Sequence, residues 1–165
     1  MIYIGTFSKV LFPSLRLGYV VIPSDLVERF QSVRRVMDLG PPSFYQEVVS
    51  DFIAEGHFAR HIRRMRIHYG ELRSALVASL RRELGSMVEL LGDEAGMHVA
   101  VMLHDKACDL EIAERAARLN LSLWPLSTSY IGGASRQGFI LGFGGTRLTE
   151  IPHAVRKLRH LLATK

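Results

Sequence analysis

The spacing of apolar residues along this chain changes character several times. Residues 1–22 carry two short apolar runs, Ile2-Tyr3-Ile4-Gly5 and Leu17 to Ile22, and read as strand, loop, strand. From Leu26 the period lengthens. Leu26, Phe30, Val33 and Met37 mark one face of a helix for which Ser24 is the candidate N-cap, and Gly40-Pro41-Pro42-Ser43 breaks it. A second helix, about 43–55, carries Phe44, Val48 and Phe52 and stops near Gly56. A long basic helix follows over 57–84, with Ile62, Met65, Tyr69, Leu72, Leu76 and Leu80 recurring at steps of three and four. Gly85 closes it.

Beyond residue 85 the texture is mixed. "MVELLG", "GMHVAVMLH", "LSLWPL" and "GFILGFG" read as strands. "DLEIAERAARLN" reads as a short helix capped by Asp109. "LTEIPHAVRKLRHLLA" reads as a terminal helix beginning near Thr149, with Pro152 tolerated in its first turn. The composite is a strand pair, long helices and a small α+β unit. An isolated strand pair is marginal in water, so residues 1–22 call for more sheet than this chain offers.

Composition narrows the picture. The 165 residues are 48% hydrophobic with a mean hydropathy of +0.13, enough for a core and rather apolar for a small monomer. Coverage of apolar surface by a partner chain or by further sequence is therefore expected. No apolar run approaches the roughly 18 residues of a membrane span, and Cys108 is the single cysteine, which excludes a disulfide framework and a thiolate zinc cluster. The expected setting is cytoplasmic. The net charge is +5. Its densest source is the helix over 57–84, whose arginines lie opposite the apolar stripe. No aromatics interleave in a stacking pattern, so this is read as a solvated face and not a nucleic-acid surface.

Lys9 is the residue out of place. It sits between two segments that read as buried strands, and a buried ammonium is costly unless paired or neutralised. A structural ion pair is one account. Covalent chemistry is the other, in which a desolvated amine attacks an aldehyde. Thr6 and Ser8 supply hydroxyls nearby, and Arg16 supplies a planar fork suited to phosphate oxygens. Amine, hydroxyls and guanidinium together suit a phosphorylated aldehyde, with pyridoxal 5′-phosphate (PLP) as the candidate cofactor.

"YIGTFSKVLFPSLRLGYVVIP" resembles the Schiff-base lysine segment of fold-type I, class I/II aminotransferases. More narrowly, it resembles the aminotransferase-like domain of MocR-type regulators in the GntR superfamily. "HIRRMRIHYGELRSAL", "EAGMHVAVML" and "GFILGFGGTRLTEIPHAVRKLRHLL" are similar, in order, to the family's long helix, the following strand, and the closing strand and helix. The fold implied is α/β, becoming α+β in the C-terminal part. Residues 1–56 would be a remnant of the PLP-binding large domain, 57–84 a linking helix and 85–165 the small C-terminal domain. By the same resemblance Lys9 is the cofactor-bearing and catalytic lysine, and Arg16 holds the phosphate. Thr6 is the hydroxyl residue three before the lysine, and Ser8 is a further phosphate or loop-ordering hydroxyl. The loop at 40–43 would approach a partner subunit's site, although a plain helix-breaking turn accounts for it as well.

Two departures qualify the resemblance. The part of the large domain that precedes the lysine strand in intact family members is not in this sequence, nor is the winged-helix domain through which MocR-type regulators bind DNA. The chain is therefore expected to be the C-terminal part of a longer homodimeric protein that binds PLP when intact, and to be inactive and to bind PLP weakly or not at all in isolation. The position where aminotransferases place a carboxylate-forking arginine falls at Ile140. Arg136 and Arg147 are the substitutes to consider and His98 is a separate candidate for ligand contact, each with an ordinary structural account, so substrate-binding residues stay unassigned. Three functions remain open: the PLP-binding effector domain of a regulator, a PLP-dependent aminotransferase, and a non-catalytic dimerisation module. His57 and His61 have the i, i+4 spacing of metal ligands but no third ligand, and with His68 are read as solvated. Trp124-Pro125 is expected to pack in the small domain.

Overall fold

Residues with strand propensity at the start of the chain do pair. β1 (Tyr3–Thr6) and β2 (Gly18–Val21) run antiparallel, with Gly5 opposite Tyr19. In this computed structural model, residues 1–38, 43–94, 96–105, 107–133 and 136–164 are described; the turn expected at 40–42 lies outside them. The remaining elements are α1 (Val27–Asp38), α2 (Ser43–Ala54), α3 (His57–Leu84), β3 (Val88–Leu91), β4 (His98–Leu103), α4 (Asp109–Ala117), β5 (Trp124–Pro125), β6 (Gly138–Gly142) and α5 (Ile151–Ala163). The chain divides into two units, Met1–Arg64 and Met65–Lys165.

The first unit holds β1, β2, α1, α2 and the start of α3. Its strands are formed but not buried: Tyr3, Ile4, Tyr19, Val20 and Val21 are all exposed. The expected faces of α1 and α2 are likewise open at Phe30, Val33, Met37, Phe44 and Val48. Among the described residues, only Leu15 and Val49 of this unit reach full hydrophobic burial. A two-stranded ribbon has two faces and no third strand, so the apolar pattern that reads as burial finds too little to pack against. Ser24 makes no side-chain cap bond, because α1 is entered through a 3-10 turn over Ser24–Leu26. Gly56, at φ 74°, ends α2 in the left-handed region that a residue with a Cβ resists.

The second unit carries the core. β3, β4, β6 and β5 form an antiparallel sheet in that order. Val101 of β4 lies opposite Phe139 of β6, and Val99 opposite Leu141, which sets these four on one face. Leu72, Leu76, Leu80 and Leu84 of α3 join the same cluster, as do Ile112 and Ala116 of α4 and Ile151, Val155, Leu158 and Leu161 of α5. The three- and four-residue spacing of α3 and α5 is what delivers these side chains to one side.

The ends of α4 show why its sequence stops short of Asn120. Leu121 N–H donates to Ala116 C=O at 3.0 Å and Asn120 N–H to Ala117 C=O at 3.1 Å, with Asn120 at φ 54°. That is a Schellman close with asparagine in the left-handed position. The strand expected over 121–126 shrinks to Trp124–Pro125, since Pro125 has no N–H to donate and a 3-10 turn over Leu126–Ser129 follows at once. Trp124 is 66% exposed, against the packed position expected of it. The terminal helix starts at Ile151, two residues later than Thr149.

Asp109 is a structural hub and not a surface cap. It is 0% exposed. Its carboxylate accepts from Ser127 N–H at 2.9 Å, Ser127 Oγ–H at 2.6 Å and Gly138 N–H at 3.1 Å. Three donors from two distant segments converge on one carboxylate, which is how a buried charge is made tolerable.

Glu83 ties α3 to α5. Arg82 Nε donates to its carboxylate at 3.2 Å and Arg159 Nη1 at 3.3 Å. The bond from Arg82, then that from Arg159, holds the carboxyl below the usual glutamate range, while burial works in the other direction. A depressed folded-state value means stability that is present above the unfolded carboxyl value, about 4.3, and lost as pH falls through the folded one. Glu83→Gln should therefore flatten the acid limb of the thermal-midpoint curve as pH falls below the ordinary carboxyl value of about 4.3. Circular dichroism melts across that range check it; an unchanged acid limb would show that the arginines contribute nothing through this group.

Candidate functional site

The loop from Phe7 to Leu17 joins β1 to β2 and carries Thr6, Ser8, Lys9 and Arg16 at its base, crest and exit. Phe7 N–H donates to Leu17 C=O at 2.9 Å and closes the base. Phe7 C=O in turn accepts from Val10 N–H at 3.2 Å and Leu11 N–H at 2.8 Å, so residues 7–11 form one tight turn with Lys9 near its crest. Thr6 Oγ1 accepts from Ser8 N–H at 3.1 Å and makes a long contact, 3.5 Å, to Leu17 C=O. Thr6 is thus engaged in ordering the loop, whereas the Ser8 hydroxyl has no partner among the described residues.

Arg16 follows the 3-10 turn Pro13–Leu15 and sits at φ 50°, ψ 30°. Its N–H donates to Pro13 C=O at 3.3 Å. Left-handed backbone costs a residue with a Cβ about 1 kcal/mol or more, so the turn holds an arginine where glycine would rest more easily. Leu15, buried beside it, anchors the loop from within.

Lys9 and Arg16 are both exposed, and neither side chain has a hydrogen-bond or ion-pair partner among the described residues. The burial expected for Lys9 is not met within this chain, for the same reason that its flanking strands are open. One primary amine and one guanidinium, both uncommitted and held on a single braced loop, make a donor set that fits a phosphorylated aldehyde.

An aromatic row backs the loop. A Cβ at Gly5 would come within 2.3 Å of the Tyr19 ring, so glycine here lets Tyr19 lie across β1. Tyr19 then meets Tyr3 at 6.0 Å and Phe7 at 5.5 Å between centroids, and Phe7 meets Phe58 of α3 edge-on at 6.0 Å. The Tyr19 phenol is pushed above its ordinary value by its hydrogen bond with Tyr3, by the neighbouring Tyr3 charge and by burial.

His61 is the residue that sequence reasoning missed. Its Nε2 donates to Val10 C=O at 3.0 Å, so it is not a solvated histidine. Its spacing from His57 drew attention to metals, whereas the informative signal is its shared helix face with Phe58. His57 instead bonds Glu55 at 3.0 Å and Arg60 at 3.0 Å and stacks on Phe52.

The remaining candidates lie in the second unit. Arg136 pairs with Glu89 at 3.7 Å and is occupied structurally. Arg147 is exposed, and its N–H donates to Glu150 at 3.2 Å. His98 is exposed opposite Gly142. Ile140 lies on the sheet face away from the core, in a cross-strand row with Leu91, Ala100 and Trp124. A cleft of about 940 Å³ is lined by His98, Trp124, Ile140 and His153 among others, and includes neither Lys9 nor Arg16. Donor chemistry, not cavity volume, makes the loop the candidate site.

A family model described as aminotransferase class I and II matches residues 1–123. The HTH-type transcriptional regulator YhdI of Bacillus subtilis, itself uncharacterized, is 36% identical over 96% of this chain and 34% of its own length. The probable rhizopine catabolism regulatory protein MocR of Rhizobium meliloti is 37% identical over 96% of this chain and 32% of its own. The chain thus spans about a third of the curated relatives it matches. Among solved structures, LysN, the alpha-aminoadipate aminotransferase of Thermus thermophilus complexed with N-(5'-phosphopyridoxyl)-L-leucine, superposes with a TM-score of 0.84. It is 27% identical, covering 98% of this chain and 41% of LysN.

Proposed function

This chain belongs to the class I and II aminotransferase family, and on that premise we propose that it forms part of the PLP-binding effector domain of a MocR-type transcriptional regulator. The observation that carries the reading is the braced β1–β2 loop, which presents Lys9 and Arg16 uncommitted within the matched range. PLP, when bound, supplies an aldehyde reactive toward primary amines. Lys9 would hold it through that carbon, Arg16 would fork its phosphate oxygens, and the Ser8 hydroxyl would donate to the same phosphate. Thr6 keeps the loop in shape by accepting Ser8 N–H.

The apolar Ile140 supports an effector role over a catalytic one, because a hydrocarbon side chain cannot fork an amino acid's carboxylate. The names of YhdI and MocR support DNA-linked regulation in the whole protein, with DNA contacted by a separate helix-turn-helix domain. The exposed apolar residues of the first unit support a homodimer. The likeness to LysN favours a second reading, transamination of an amino acid, for which Lys9 would also move the proton.

Reductive trapping tests the proposal. PLP is added, the adduct is reduced with borohydride, and peptides are mapped across Lys9, Lys106, Lys157 and Lys165, the four lysines of the chain. Label is expected at Lys9 and lost in Lys9→Ala. Identical absorbance spectra for the two proteins would overturn the assignment. Amino acids added to the PLP-loaded protein should leave PLP unconverted; rapid appearance of pyridoxamine phosphate would favour the aminotransferase.

A further inference from the structure

We propose that His61, with Phe58, is a positioning residue for Lys9. This rests on the reading of Lys9 as the cofactor-bearing amine, but the geometry is independent of any cofactor. Both residues project from the first turns of α3 onto the turn at 7–11. Phe58 packs edge-on against Phe7, two residues before Lys9. His61 Nε2–H donates to Val10 C=O, one residue after it. The lysine is thus bracketed by an aromatic contact on one side and a hydrogen bond on the other.

The bond has a defined direction. A carbonyl can only accept, so His61 carries its proton on Nε2, and it goes on donating when the ring is fully protonated. The turn's own bonds, Val10 and Leu11 N–H to Phe7 C=O, leave the Val10 carbonyl available for this outside partner. Without that donor the turn keeps its internal bonds, but among the described residues the Val10 carbonyl has no other side-chain donor. A nucleophile on a flexible stem gains from a backbone that does not wander, and an exposed loop has few other restraints.

The experiment uses the chain itself in two arms. Amide hydrogen exchange reads the turn without cofactor. His61→Leu should cut protection at Val10 and Leu11 at least tenfold, while the helix core around Leu80 keeps its protection. His61→Gln, whose amide can still donate, should restore most of the loss. Unchanged exchange at Val10 and Leu11 in His61→Leu would overturn the proposal. In the second arm, PLP is the probe, followed by borohydride and mass mapping. The share of label on Lys9 relative to Lys157 should fall at least threefold in His61→Leu and recover in His61→Gln. Full labelling of Lys9 in His61→Leu would also overturn it. Absence of selective labelling in the unaltered protein would instead count against Lys9 as cofactor lysine, with the exchange arm still deciding the role of His61.

Discussion

Asp109→Ala is expected to cost the second unit about 3–5 kcal/mol, because it strips three donors of a buried charged acceptor at once. The Gly138 N–H would be left buried, and the Ser127 N–H half-buried, with no carboxylate to accept them. The Ser127 hydroxyl can rotate, so the two amides carry most of the loss. Asp109→Asn makes the sharper test. Its carboxamide oxygen can keep both amides, and its NH₂ can donate to Ser127 Oγ, so it should lose only about 1–2 kcal/mol. Urea denaturation of the pair decides it. If alanine proves as mild as asparagine, the carboxylate is not the fastening described.

Phe139→Ala is the other large effect, about 3–5 kcal/mol. The ring is 0% exposed and faces Val101 across the ladder, within the cluster that joins α3, α4 and α5. Its removal leaves a cavity that a strand paired on both sides cannot collapse to fill. Thermal melts should show the midpoint of the second unit falling by roughly 10 °C, at about 2–4 °C per kcal/mol for chains of this size. Phe139→Leu should recover more than half. A midpoint moved by only a degree or two would mean that the sheet relaxes into the space.

These two residues also mark what the sequence makes readable. Phe139 is legible, since it alternates along an apolar run that can only be a strand of a core. Asp109 is misread, because a carboxylate opening an amphipathic helix looks like a cap from every local viewpoint. Its real partners lie 18 and 29 positions away. The helices over 43–55, 57–84 and 151–163 are readable from spacing and from glycine stops, and β1 and β2 from β-branched runs. Their exposure is not, because periodicity reports which face is apolar and never whether something covers it. The amine and guanidinium of the loop are seven positions apart and recognisable together. His61 stands 51 positions from the carbonyl it holds, and no local pattern announces that bond.

The left-handed backbone at Arg16 sets stability against use. Glycine there would relax the turn by up to about 1 kcal/mol, offset in part by the greater freedom it gives the unfolded chain. The same exchange would delete the guanidinium proposed to receive a phosphate. A screen of this protein for heat resistance alone would therefore tolerate, or even enrich, Arg16→Gly among its survivors, and those survivors would be firm scaffolds with an empty hand.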